Sequence, residues 1–132
     1  MTKALERVLL VEDEPDIQAV ARLALEAVGG LRVEICSSGE AALNAAPQFA
    51  PELVLLDVMM PGMDGPATLR ALRALPETAG TPVVFMTAKV QPQEVAAFLA
   101  LGAADVIAKP FDPMTLADTV RNIWAGHATP GE

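Results

Sequence analysis

The chain has 132 residues, 52% of them hydrophobic, which is enough for one compact domain with a real core. Nine basic against seventeen acidic residues give a formal charge of −8, and no cluster of Lys or Arg offers a surface for direct nucleic-acid binding. A single cysteine, Cys36, excludes an internal disulfide and a zinc site built on several thiolates, and reads as a small buried apolar residue. No signal-peptide core stands near the N-terminus and no apolar run approaches the ~18 residues of a membrane span, so the expectation is no membrane insertion and a reducing, cytoplasmic setting.

Five short β-type runs alternate with five helical ones. The first strand is Arg7 to Val11, and its Val8, Leu9, Leu10 and Val11 form a continuous apolar run suited to a strand buried on both faces. A helix follows, opened by Pro15 at its first position. Ile17, Val20, Ala21, Ala24 and Val28 give it one apolar stripe, and Gly29-Gly30 end it. The second strand is Arg32 to Cys36, and Ser37 with Glu40 reads as a capping box for the next helix. Leu53 to Asp57 and Pro82 to Thr87 are the third and fourth strands, and their apolar runs mark them, with the first, as the centre of the sheet. Pro92 opens a fourth helix and Asp105 to Ala108 is the fifth strand. The last helix is expected over residues 113–124, from Pro113 to Trp124, with Leu116, Val120, Ile123 and Trp124 inward.

Strands alternating with helices predict an α/β fold, a doubly wound parallel sheet in the flavodoxin-like order 2-1-3-4-5. The expected organisation is a single domain over residues 1–132, with a core of about 7–124 and a short tail over 125–132. Such sheets bind ligands beyond the carboxyl ends of their strands. Polar residues stand at four of those ends: Glu12 and Asp13, Asp57, Thr87, and Lys109. Three neighbouring carboxylates need a cation, and one lysine is too little charge for three. A hard divalent ion with oxygen ligands fits, Mg2+ or Mn2+. Phosphoryl transfer supplies the remaining logic, since it needs an in-line nucleophile and positive charge on the transferring oxygens. Asp57 is the candidate nucleophile, Lys109 and the metal the candidate clamp, and the Thr87 hydroxyl a donor to a phosphoryl oxygen. Separately, an aspartate ending a strand, a β-branched threonine or a surface lysine is ordinary; their convergence at one edge is not.

In these residues the chain resembles a response-regulator receiver domain of two-component signalling, over roughly Arg7 to Trp124. The match is carried by Glu12-Asp13, by Asp57 with the segment Val58 to Gly65, by Thr87-Ala88, and by Lys109-Pro110-Phe111. The resemblance implies a switch that takes a phosphoryl group onto Asp57 from a histidine kinase or histidine phosphotransfer protein. It implies metal binding by Asp13 and Asp57, by Glu12 partly through water, and by the backbone carbonyl of Met59. It implies a cis Lys109-Pro110 bond, room beside small Ala88 for the donor, and output to a downstream protein through the fourth helix, fifth strand and fifth helix.

Three features depart from the family or bear on it. Val106 stands where many receivers carry an aromatic switch residue, and the chain has no tyrosine. An apolar Met59 beside the acceptor implies slow hydrolysis of the acyl phosphate. The lone histidine, His127, falls in the expected tail and reads as a spectator, so the chain receives phosphate and does not relay it from a histidine of its own. Two other classes compete. An aspartate-nucleophile phosphatase of the haloacid-dehalogenase kind would carry a second aspartate where Met59 stands, and a flavin protein would not place the acidic run Glu12 to Asp16 against a phosphate.

Overall fold

A computed structural model describes residues 4–127. Five parallel strands, β1 (Arg7–Val11), β2 (Arg32–Cys36), β3 (Leu53–Asp57), β4 (Val83–Thr87) and β5 (Asp105–Ala108), form one sheet in the order β2-β1-β3-β4-β5. The helices are α1 (Pro15–Arg22), α2 (Gly39–Phe49), α3 (Gly65–Ala74), α4 (Pro92–Ala100) and α5 (Leu116–Gly126). The fold class and strand order are those the alternating pattern predicts, and β1, β3 and β4 are the central strands. Every residue of β3 and β4 is buried.

Alternation along the strands sends successive side chains to opposite faces, and a separate core forms on each. Val8, Leu10, Leu53, Leu55, Val84, Met86 and Ile107 pack with Ala21, Ala24 and Leu25 on one side and with Leu116, Ala117 and Val120 of α5. Leu9, Val11, Val54, Leu56, Val83 and Phe85 pack on the other face with Ala42 and Ala46 of α2 and Leu69 and Leu72 of α3. Cys36 is buried there, as expected of a small apolar residue, and burial pushes its thiol up to about 11.

Several element ends differ from the sequence reading. Beyond Arg22, α1 continues as a π-helical segment, Leu23–Val28, with Gly29 N–H donating to the Ala24 carbonyl five residues back. In this wider turn Ala24 and Leu25 are both buried, while Val28, and Val20 in the preceding α-helix, both expected in the stripe, are exposed. Gly29-Gly30 do end the helix, and a Cβ on Gly29 would stand 2.5 Å from the Ala117 Cβ of α5. The cap of α2 is Ser38, whose side chain accepts from the Ala41 N–H; the expected Ser37 cap is not formed, because the Ser37 Oγ accepts from the Gln18 amide instead. β4 begins at Val83, one residue after Pro82, which has no N–H to give a ladder. α5 begins at Leu116: Asp112 takes the N–H groups of Met114, Thr115 and Leu116 and holds Pro113 in a turn ahead of the helix. Leu116 and Val120 are buried, with Ile123 and Trp124 packed against the core. Ala125 and Gly126 belong to α5, and residues 128–132 of the expected tail lie outside the described residues.

Candidate functional site

Beyond its last ladder residue β1 runs one more step, with Glu12 N–H donating to the Cys36 carbonyl at 3.0 Å, and this carries Glu12 under the sheet edge. Its carboxylate is fully buried. One oxygen accepts from the Glu14 N–H at 3.1 Å and the other from the Lys109 ammonium at 2.7 Å. Asp57, the last residue of β3, is also buried and accepts from the same ammonium at 3.0 Å. Asp13 is half-buried beside them, and Glu12, Asp13 and Asp57 each present a carboxylate oxygen within 4.8 Å of the others.

Lys109 reaches this cluster because β5 aligns with β4. Thr87 pairs with Ala108, and the Lys109 N–H donates to the Thr87 carbonyl at 2.9 Å, so the next side chain projects over the strand ends. The Lys109-Pro110 bond is cis. Thr87 ends β4 and is buried, its hydroxyl oxygen accepting from the Lys89 N–H at 3.0 Å. A hydroxyl that accepts in this way keeps its proton to donate elsewhere.

Electrostatics follow from burial. Desolvation pushes the Glu12 carboxyl above its ordinary value, against the Lys109 and Glu14 donors that pull it down. Desolvation also pulls the Lys109 ammonium down, but its hydrogen bonds to Glu12 and Asp57 outweigh that and leave it raised, hence charged throughout the neutral range. One ammonium thus faces three carboxylates, a deficit of positive charge in a partly buried place. An all-oxygen acidic donor set of this size suits a hard divalent cation.

Two predicted residues sit at the rim. Ala88 is exposed and, with Asp16, Ile17, Val20, Lys109, Pro110 and Phe111, lines a largely apolar cavity of about 440 Å³. The Met59 side chain is 71% exposed on the loop that follows Asp57. The sequence reading missed the apolar cavity, since helical periodicity assigned Val20 to the core. It also missed Gln18, whose amide donates to the Glu12 carbonyl and to Ser37 and so ties α1 to two strand ends. Gly65 was overlooked as a packing residue: a Cβ there would stand 2.7 Å from the Asp57 carbonyl oxygen and 2.8 Å from the Val58 Cα. His127 stands at the end of α5 with its ring 3.2 Å from the Ala104 carbonyl.

Comparison with known proteins agrees across sequence and structure. The family model described as the response regulator receiver domain matches residues 8–121. The DNA-binding response regulator MtrA of Mycolicibacterium smegmatis is 38% identical over 116 residues, 88% of this chain and 49% of that protein. The transcriptional regulatory protein CseB of Streptomyces coelicolor is 35% identical over 127 residues, 95% of this chain and 53% of that protein. The chain therefore spans about half the length of the curated relatives it matches. Among solved structures, the chemotaxis protein CheY4 of Vibrio cholerae superposes with a TM-score of 0.83 at 30% identity, covering 91% of this chain and 99% of that one. The receiver domain of a signal transduction histidine kinase from Syntrophus aciditrophicus gives 0.79 at 32% identity, covering 96% and 95%.

Proposed function

This chain belongs to the response regulator receiver domain family, the signalling switches of two-component systems, and on that premise we propose that Asp57 is its phosphoacceptor, served by a histidine kinase or a histidine phosphotransfer protein. The observation that carries the reading is the convergence of Glu12, Asp13, Asp57 and Lys109 at the carboxyl ends of β1, β3 and β5. In the step itself, an Asp57 carboxylate oxygen bonds to phosphorus as the bond from phosphorus to the donor's imidazole nitrogen breaks, and the neutral imidazole leaves. Lys109, already 3.0 Å from Asp57, turns its ammonium to the transferred oxygens. The Thr87 hydroxyl donates to another of them, and small Ala88 leaves space for the donor to approach.

Glu12, Asp13, Asp57 and the Met59 backbone carbonyl would hold Mg2+ or Mn2+, which when bound supplies the positive charge that Lys109 alone cannot. The chain speeds its own phosphorylation and dephosphorylation and turns over no separate substrate. Output passes through α4, β5 and α5 to a protein partner, driven by Thr87 moving toward the phosphate and the Lys89 segment following through their shared hydrogen bond. Among the described residues no helix is long and apolar enough to cross a membrane, and with a net charge of −8 we assign the domain a cytoplasmic role without direct nucleic-acid contact.

The test is intact-mass analysis after incubation with magnesium and a small acyl phosphate. One phosphate adduct, dependent on magnesium and absent in Asp57→Asn, is the expected result. An adduct that survives in Asp57→Asn would move the acceptor elsewhere, and no adduct on the native chain would leave a domain that works by unphosphorylated contacts.

A further inference from the structure

We propose that Met59 is an oxidation site whose sulfoxide shortens the life of the phosphoryl group on Asp57, a proposal that rests on Asp57 being the acceptor. The described methionines differ sharply in access. Met86 and Met60 are buried, at 0% and 7% exposed, and Met63 is half-buried against the α2 N-terminus, whereas Met59 and Met114 are open to solvent. Cys36 is buried with its thiol held protonated near neutrality, so it does not compete for an oxidant. Exposed thioether sulfur is therefore the accessible sulfur of the described chain, and one of its two positions follows Asp57 by two residues.

The placement of Met59 gives that exposure a chemical meaning. It follows Asp57 by two residues, which limits the Cα separation to about 7 Å, within reach of a methionine side chain. Its loop is pinned at both ends: Val58 N–H donates to the Met86 carbonyl at 3.2 Å, and Gly65 N–H to the Val58 carbonyl at 2.9 Å. The tight approach of Gly65 to the Asp57 carbonyl fixes the same loop from behind. Met59 therefore has a held backbone and a free side chain, which forms part of an open cavity of about 500 Å³ with Val58, Met60, Pro61, Asp64 and Pro66.

A thioether is a weak hydrogen-bond acceptor and does not orient a water molecule near an acyl phosphate. A sulfoxide oxygen does. With hydrogen peroxide as oxidant, the sulfur lone pair attacks one peroxide oxygen and the O–O bond breaks. Sulfur is oxidised by two electrons to the sulfoxide, and the other oxygen leaves, with the two protons, as water. No acid or base from the chain is required, and a methionine sulfoxide reductase reverses the change. The new oxygen at position 59, two residues beyond Asp57, accepts from a water and turns the water's lone pair toward phosphorus. The switch then resets faster under peroxide than in its absence.

The experiment compares peroxide-treated and untreated native chain, each phosphorylated with magnesium and a small acyl phosphate, with the site of oxygen addition found by peptide mapping. Oxygen is expected at Met59 and Met114 well before Met60, and the phosphate half-life is expected to fall about two- to tenfold, the range that one water-orienting hydrogen bond supplies. In Met114→Leu the peroxide effect persists; in Met59→Leu the treated and untreated half-lives are equal. An adduct whose half-life peroxide does not shorten, or a shortening that survives in Met59→Leu, overturns this proposal alone. Absence of any adduct on the untreated chain overturns the acceptor reading and this proposal with it.

Discussion

Two regions that meet at β4 differ sharply in how they are held. Toward β3 and β1, the strand is locked in the sheet with every residue of β3 and of β4 buried, and the acidic cluster is mounted on the ends of those strands. Toward α4, the covering helix contributes no buried residue at all. Its aromatic anchor is Phe98, whose ring lies 5.1 Å from that of Phe85 at 56°, and Val90, Leu99 and Leu101 near its ends are exposed. The site is thus built on a fully buried part of the molecule, while α4 contributes no buried residue of its own. Elements of that kind occupy the low-stability end of a fold and are the ones a small local change can reposition.

The largest effect expected from this contrast comes from emptying the constrained side. Leu55→Ala, in the middle of β3, should cost about 2–5 kcal/mol in urea unfolding, whereas Leu99→Ala on α4 should stay within about 0.5 kcal/mol. Comparable losses would erase the distinction. Next in size is Lys109→Met, which leaves buried Glu12 without its 2.7 Å partner and should cost about 3 kcal/mol at neutral pH without added metal.

Its pH dependence has a definite sign. Glu12 is raised, so the stability it contributes is present below the ordinary glutamate value and lost as pH climbs through its higher folded value. Losing the ammonium moves that folded value further up, and the variant should recover toward the native chain on acidification. In the native chain Lys109 is raised as well, so its contribution should persist through the neutral range and disappear only above about pH 10.4, the ordinary lysine value. A pH-independent deficit in Lys109→Met would mean that the ammonium acts by packing, not charge. A smaller loss than that of Lys109→Met is expected at the junction of the two regions. Phe98→Ala should cost about 1–2 kcal/mol and raise amide exchange in α4 while leaving β3 and β4 protected. Loss of protection in the central strands would show that α4 is tied in more firmly than its burial implies.

Most of this architecture could be read from the chain because its strands are continuous apolar runs, and four of the five strand spans agree to the residue. The fifth differs by Pro82 alone. The acidic pair, Asp57, Thr87 and Lys109 could be located because each stands where an apolar run stops. Helix ends were harder, since they depend on which of two adjacent side chains reaches a donor. Ser37 and Ser38 are adjacent candidates in the sequence; Ser38 caps α2, while the Ser37 hydroxyl accepts from the Gln18 amide. Asp112 likewise accepts the N–H groups of Met114, Thr115 and Leu116, so a turn precedes α5, which begins only at Leu116. Periodicity placed Val20 and Val28 on the buried stripe, but Val20 faces outward from the regular part of α1 and Val28 lies in the segment that widens after Arg22. That error hid the apolar cavity beside Lys109, whose wall includes the misassigned Val20.

Over Leu23–Val28, hydrogen bonds of the kind joining Gly29 to Ala24 span one residue more than an α-helical turn holds. Removing a residue from an ordinary helix rotates everything beyond the cut by about 100° and turns its buried face to solvent. Here the surplus could be withdrawn by rewinding the segment as α-helix, leaving Gly29 against α5 and β2 in register with β1. Among the described residues, the stretch between Arg22 and Gly29 is thus a helical place where the chain's length is open to change by a single codon.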